Sequence, residues 1–147
     1  MFANIFFGVL TMVLCLLLQA FLILVVLRFY THHLREIENE DWLPTIRVIW
    51  GVMALLFIGN IAQISVWAAL FLVLGEFSGF ETAFYHSAVN FSTLGYGDMV
   101  MSEQHRLLGP IEAVNGVLMI GVSTAVLFSA FDDALTRTLG ARGKTPQ

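Results

Sequence analysis

Six consecutive residues, Thr93-Leu94-Gly95-Tyr96-Gly97-Asp98, carry the distinctive chemistry of this 147-residue chain. Gly95 and Gly97 alternate with larger residues, and glycine takes positive φ at little steric cost. Such a run can alternate left- and right-handed conformations and turn successive carbonyls the same way. A row of carbonyl oxygens is a cation ligand. The Thr93 hydroxyl adds an oxygen at one end and the Asp98 carboxylate adds charge at the other. All are hard oxygen donors that can replace the hydration shell of an alkali cation. No rival chemistry is encoded: there is no nucleophile with a base and no metal cluster, so no enzyme is expected. Cys15 is a single cysteine in an apolar run and excludes a disulfide framework. A Gly-rich nucleotide fold, a calcium loop and a second domain are also missing.

The elements that must hold this loop are hydrophobic helices. With 58% hydrophobic residues and a mean hydropathy of +0.81, the composition is that of an integral membrane protein. Residues Ile5 to Leu27 run uncharged for 23 positions, about 34 Å of helix against a hydrocarbon core of about 30 Å. They lack a basic leader and a small-residue cleavage site, which favours a retained span over a removable signal. The second and third runs are expected over 46–74 and 106–131. Between them, Ser78-Gly79-Phe80-Glu81 has the spacing of a capping box, and a helix over 79–91 is too short to cross. It must dip in and return, which is tolerated at membrane depth only inside protein or beside water.

Charge placement orients the spans. Of seven basic residues, Arg28, Arg35, Arg47, Arg137, Arg142 and Lys144 fall on one predicted side, and only Arg106 falls on the other. The richer side reads as cytoplasmic, so the N-terminus and the Thr93–Asp98 loop face outward.

The hexapeptide with its flanks resembles the selectivity filter of potassium channels, in particular the small bacterial pore-loop members with a two-helix pore domain. Five of six residues match the commonest form, with Leu94 where Val is usual. The resemblance covers about 46–131 and implies a potassium-selective channel built as a homotetramer in membrane lipid. Each copy would give an outer helix (46–74), pore helix (79–91), filter (93–98) and inner helix (106–131). The fold class is then all-α, with three transmembrane helices and a re-entrant pore loop. The segment 1–30 is an additional peripheral helix, 31–45 a cytoplasmic linker, and 132–147 a cytoplasmic tail. By the same resemblance the carbonyls of Thr93, Leu94, Gly95 and Tyr96 hold K+, with Gly97 completing the filter. No cofactor beyond the transported ion and no nucleic-acid partner is implied. The home membrane is a cell membrane, read as a bacterial inner membrane. Rival readings are a non-selective cation channel and a non-conducting sensor or adaptor subunit.

Several residues carry roles that follow from the resemblance. Tyr85 and His86 stand where relatives often have tryptophans, and Tyr85 is placed to hydrogen-bond Asp98 at the outer mouth. Val89 replaces a buried Glu of some relatives, and Met99–His105 lacks the Pro found after many such filters. Gly116 aligns with a hinge glycine and Gly121 offers a second small residue, though close helix packing explains both equally well. Val117, Ile120, Thr124 and Phe128 share a helix face toward the conduction axis, with Phe128 a candidate hydrophobic constriction. Asp132 and Asp133 concentrate cations at the inner mouth or form an ordinary solvated helix end.

The remaining polar residues read as packing or interface groups. Asn60, Gln63 and Trp67 share one helix face against protein, and Gln19 is a candidate hydrogen-bonding residue of the first span. Trp42 and Trp50 suit the inner interface. Arg28 anchors topology, because one arginine is not the ladder a voltage sensor needs. His32 and His33 are either solvated or sensors of pH. Glu112 is expected at the positive end of the inner helix, bonded to the back of the pore helix. The tail Gly140–Gln147 is expected to be disordered.

Overall fold

A computed structural model describes residues 2–34 and 42–142. Four helices follow one another: α1 (Phe2–His32), α2 (Trp42–Val73), α3 (Phe80–Phe91) and α4 (Leu108–Arg142). Three of them contain stretches long and apolar enough to cross a membrane, Asn4–His32, Trp42–Val73 and Leu108–Gly140. The protein is a multi-pass membrane protein. With 12 residues, α3 rises only about 18 Å and cannot span.

The boundaries differ from the sequence expectation in ways local chemistry explains. α2 begins at Trp42 and not Ile46, because Pro44 falls in the first turn, where its missing N–H breaks no helical bond. It ends through a Schellman arrangement at Gly75, with Glu76 N–H donating to Phe71 O and Gly75 N–H to Leu72 O. The capping box does not form. Gly79 is the N-cap of α3 and no side chain caps it, so Ser78 lies outside the helix. Glu81 acts instead through its charge in the first turn. α4 starts at Leu108 and continues past Phe131 to Arg142, so Asp132, Asp133 and Gly140 are helical and not tail. Residues 35–41 of the expected linker, with Arg35, and residues 143–147 of the tail, with Lys144, lie outside the described residues.

By contacts the chain divides into two compact units, Met1–Gln19 with Gly59–Gly121, and Ala20–Ile58 with Val122–Gln147. The first unit holds all of α3 and the Thr93–Asp98 loop. Its core gathers Cys15, Ile64, Trp67, Phe71, Phe91, Leu108 and Met119, drawn from all four helices. The α1 face that enters it reads Gly8, Thr11, Cys15 and Gln19, at spacings of three or four. A Cβ on Gly8 would meet the Ile111 side chain at 2.9 Å, so the first span packs directly on α4 here. Gln63 Nε2 donates to Gln19 Oε1 at 2.7 Å, with both residues buried, which gives Gln19 the inter-helix partner its position called for. Asn4 Nδ2 also donates to the Gln104 carbonyl.

The second unit packs Val26, Tyr30, Val48, Val52, Leu56, Ala130 and Ala134. Tyr30 donates to Asp133 Oδ2 at 2.8 Å and Arg137 Nε to the same oxygen at 2.7 Å. The Thr45 and Thr138 hydroxyls meet at 2.9 Å. These bonds, with the helix-forming residues between them, explain why α4 does not stop at Phe131. His33, read from sequence as solvated or sensing, hydrogen-bonds the Phe29 carbonyl at 2.8 Å through Nδ1.

Replacing Gln63 by Leu removes its buried bond to Gln19. The expected cost is about 1–2 kcal/mol in thermal unfolding in detergent. The double replacement Gln19→Leu with Gln63→Leu should recover part of it.

Candidate functional site

The Thr93–Asp98 loop is positioned by the end of α3. Phe91 is the last helical residue, and the chain leaves through Ser92, whose hydroxyl and N–H both donate to the Ala88 carbonyl. Thr93 N–H then bonds Asn90 O at 2.9 Å and Leu94 N–H bonds Val89 O at 2.9 Å. Beyond this the chain follows no regular element through Gly97.

The backbone alternates as the sequence requires. Thr93, Gly95 and Gly97 have φ of +60°, +61° and +72°, whereas Leu94 and Tyr96 are not in the positive region. At Gly95 and Gly97 this costs little, but at Thr93 a β-branched residue is held in a conformation that costs about 1–3 kcal/mol. The hydroxyl of Thr93 is tied to the Ser92 carbonyl at 2.7 Å. All six loop residues are exposed, with Leu94 and Tyr96 more than half uncovered. Beside the loop, Thr93, Gly95 and Gly97 line an open cleft of about 390 Å³ with His86, Asn90 and Arg106.

Side-chain bonds tie down the Asp98 end of the loop and the segments beside it. Tyr85 Oη donates to Asp98 Oδ2 at 2.7 Å, and the Asp98 bond raises this phenol above its usual range, so it stays a donor. His86 is buried, and that burial lowers it below the usual histidine range. As a neutral ring its Nε2 accepts from Asn90 Nδ2 at 2.9 Å. After the loop, Glu76 gathers three donors: Ser102 N–H at 2.8 Å, Ser102 Oγ at 2.6 Å and His105 Nδ1 at 2.5 Å. This clamp was not legible in the sequence, because its members lie 26 and 29 positions apart. The segment that lacks the expected Pro is fixed by these bonds instead.

Behind α3 the inner face meets α4. A Cβ on Gly116 would lie 1.9 Å from the Phe91 carbonyl oxygen and 2.7 Å from its carbon. Close approach, one of the two readings of Gly116, is therefore a steric requirement here. Gly121 has open space around it and no such demand. Glu112 is buried, one turn inside α4 and past its first turn, and its Oε1 lies within hydrogen-bonding distance of Ser87 Oγ. Val89 of α3 is also buried.

Among the α4 residues singled out from sequence, Val117 and Ile120 are exposed in the first unit, and Thr124 and Phe128 are exposed in the second. Asp132 is exposed, whereas Asp133 is engaged by Tyr30 and Arg137. Asp133 does not stand at a helix end: α4 continues beyond it to Arg142, and its carboxylate is bonded by Tyr30 and Arg137. No group of three or more potential metal-ligating side chains is found among the described residues.

Two outcomes are expected. Gly116→Ala should cost about 3 kcal/mol or prevent folding, because a methyl meets backbone that cannot swing away, while Gly121→Ala, free of any clash inside a helix, should leave the unfolding midpoint equal or slightly higher. For Glu76, burial alone pushes the carboxyl up, but the bonds from Ser102 and His105 outweigh it and hold it below the usual range. The stabilisation is therefore full near neutral pH and is lost as pH falls from the ordinary glutamate range through the lowered value. Unfolding midpoints measured down to about pH 3 should drop for the wild type more than for Glu76→Gln.

A family model described as an ion channel matches residues 59–133, from the middle of α2 through the loop and into α4. Searches of curated proteins and of solved structures returned no match.

Proposed function

Because the chain belongs to this ion channel family, we propose that it conducts potassium ions passively and selectively across a cell membrane. The conducting unit is a homotetramer whose filter is Thr93–Asp98. The observation that carries the reading is the alternation of φ sign at Thr93, Gly95 and Gly97. It falls in a Thr-Leu-Gly-Tyr-Gly-Asp run at the end of a helix too short to cross.

One chain supplies one strand of ligands, and a ring of carbonyls around an ion needs several. The exposure of all six loop residues supports surfaces completed by other copies. In such a ring, carbonyls of Thr93, Leu94, Gly95 and Tyr96 replace the water shell of K+, while Gly97 and Asp98 form the outer end. Tyr85 fixes Asp98 and so the outer mouth. The carbonyl end of α3 carries the negative end of the helix dipole, which favours a cation beneath the filter. Val117, Ile120, Thr124 and Phe128 form the lining of the path on α4, with Phe128 as the constriction that closes by dewetting. Asp132 adds negative charge at the inner mouth.

The Thr93–Asp98 loop and the N-terminus face outward, and the basic side faces the cytoplasm of a bacterial cell.

Reconstitution into liposomes tests this reading. Potassium or rubidium flux that barium blocks and sodium does not match is the expected result. Equal sodium flux would indicate a non-selective channel, and no flux from a folded assembly would indicate an adaptor subunit. Gly95→Ala should abolish selective flux while leaving the chain folded, since a side chain disfavours the positive φ at that point.

A further inference from the structure

A buried chain of hydrogen bonds behind the pore helix has more acceptors than its one hydroxyl can serve. Ser87 Oγ lies 3.0 Å from the Ile64 carbonyl oxygen of α2 and within hydrogen-bonding distance of Glu112 Oε1 of α4. Ser87 and Glu112 are both fully buried. A serine hydroxyl has one hydrogen, and a carbonyl oxygen can only accept. Two oxygens 3.0 Å apart with no proton between them repel, so the Ser87 hydrogen belongs to the contact with Ile64. The contact between Ser87 and Glu112 then needs a proton from the other side.

We propose that Glu112 is a neutral carboxylic acid that donates to Ser87, and that this bond is the positioning contact holding the pore helix between α2 and α4. The relay runs from Glu112 O–H to Ser87 Oγ and from Ser87 O–H to the Ile64 carbonyl. It ties three helices together through one side chain of α3.

The surroundings agree with a neutral acid. Glu112 Oε2 has no hydrogen-bond partner, which a carbonyl-like oxygen tolerates far better than a carboxylate oxygen. Asn115, three residues on in α4 and fully buried, does not supply one, since its amide is also unpartnered. Neither ion pair seen among the described residues, Glu76 with His105 and Asp133 with Arg137, includes Glu112. The positive end of α4 offers little, because that field fades beyond the first turn and Glu112 lies past it. A bare charge in a membrane span without any of these would be costly.

The consequence reaches the loop through geometry already described. Ser87 is four residues before Phe91, whose carbonyl rests against Gly116. A pore helix released at Ser87 is free to shift the whole run that follows it. Glu112 and Ser87 are thus positioning residues, acting on the ion path only through α3.

Infrared difference spectroscopy of the full-length wild type against Glu112→Gln tests the protonation state without needing flux. A protonated-carboxyl carbonyl band that shifts in heavy water and vanishes in Glu112→Gln is expected. A carboxylate band in its place overturns the proposal. The positioning role is tested by unfolding midpoint, which also needs no conduction. Glu112→Gln keeps a donor for Ser87 and should unfold like the wild type. Glu112→Ala and Ser87→Ala should each lower the midpoint, and the double variant should be no worse than either alone. Additive losses overturn a shared bond.

The last arm rests on the proposed potassium selectivity. In liposomes the potassium-to-sodium flux ratio should fall about tenfold in both alanine variants and stay within about twofold in Glu112→Gln. An unchanged ratio in variants that lose stability overturns the link to the filter. Absence of any flux in the wild type defeats the channel reading and leaves the infrared and unfolding results to decide this one.

Discussion

The loop that gives this chain its chemistry depends on a backbone contact with no side chain in it. Phe91, at the end of α3, sets its carbonyl against Gly116 of α4 at a distance that leaves no room for a methyl. That contact fixes where α3 ends, and everything after it is placed by short bonds back to the last turn: Thr93 to Asn90 and Leu94 to Val89. A half-crossing helix needs such support, because its carbonyl end cannot be solvated by lipid. Burial in protein or contact with water satisfies it.

Strain and support are matched around the loop. Thr93 is held at positive φ, which a β-branched residue resists, and the cost is offset by the tethers on each flank. Inside, the last turn of α3 is bonded and packed. Outside, Tyr85 holds Asp98, and the Glu76 clamp ties the segment after the loop to the end of α2. In water an exposed hydrogen bond is worth little, but several donors on one carboxylate make a network that is harder to open than any one of them. The stretch from Leu94 to Gly97 is thereby confined at both ends, with the Leu94 and Gly95 N–H groups bonded back to the Val89 carbonyl.

The first helix is less of a bystander than a peripheral span would be. The matched family model begins at residue 59 and does not include it, yet Cys15 belongs to the same core as Phe91 and Met119. Gln19 pairs with Gln63, and Gly8 lets α1 approach Ile111 and Leu108. In the second unit Tyr30 meets Asp133. In this member of the ion channel family the first helix shares both hydrophobic cores of the chain.

Local sequence determined the three apolar spans, the short helix between them and the alternating loop, because each follows from hydrophobic length or from the φ preference of glycine within a few residues. It also placed Gln63 and Trp67 on a buried face and linked Tyr85 to Asp98. Tertiary structure alone decided where the caps fall, why Gly116 must be glycine, and which distant groups close on Glu76, Glu112 and Asp133. Those partners lie 25 to 103 positions apart, and no periodicity records a meeting over such a distance. The length of α4 was set the same way: its end is fixed by what Thr138 and Asp133 touch on other helices, which the chain carries only once folded.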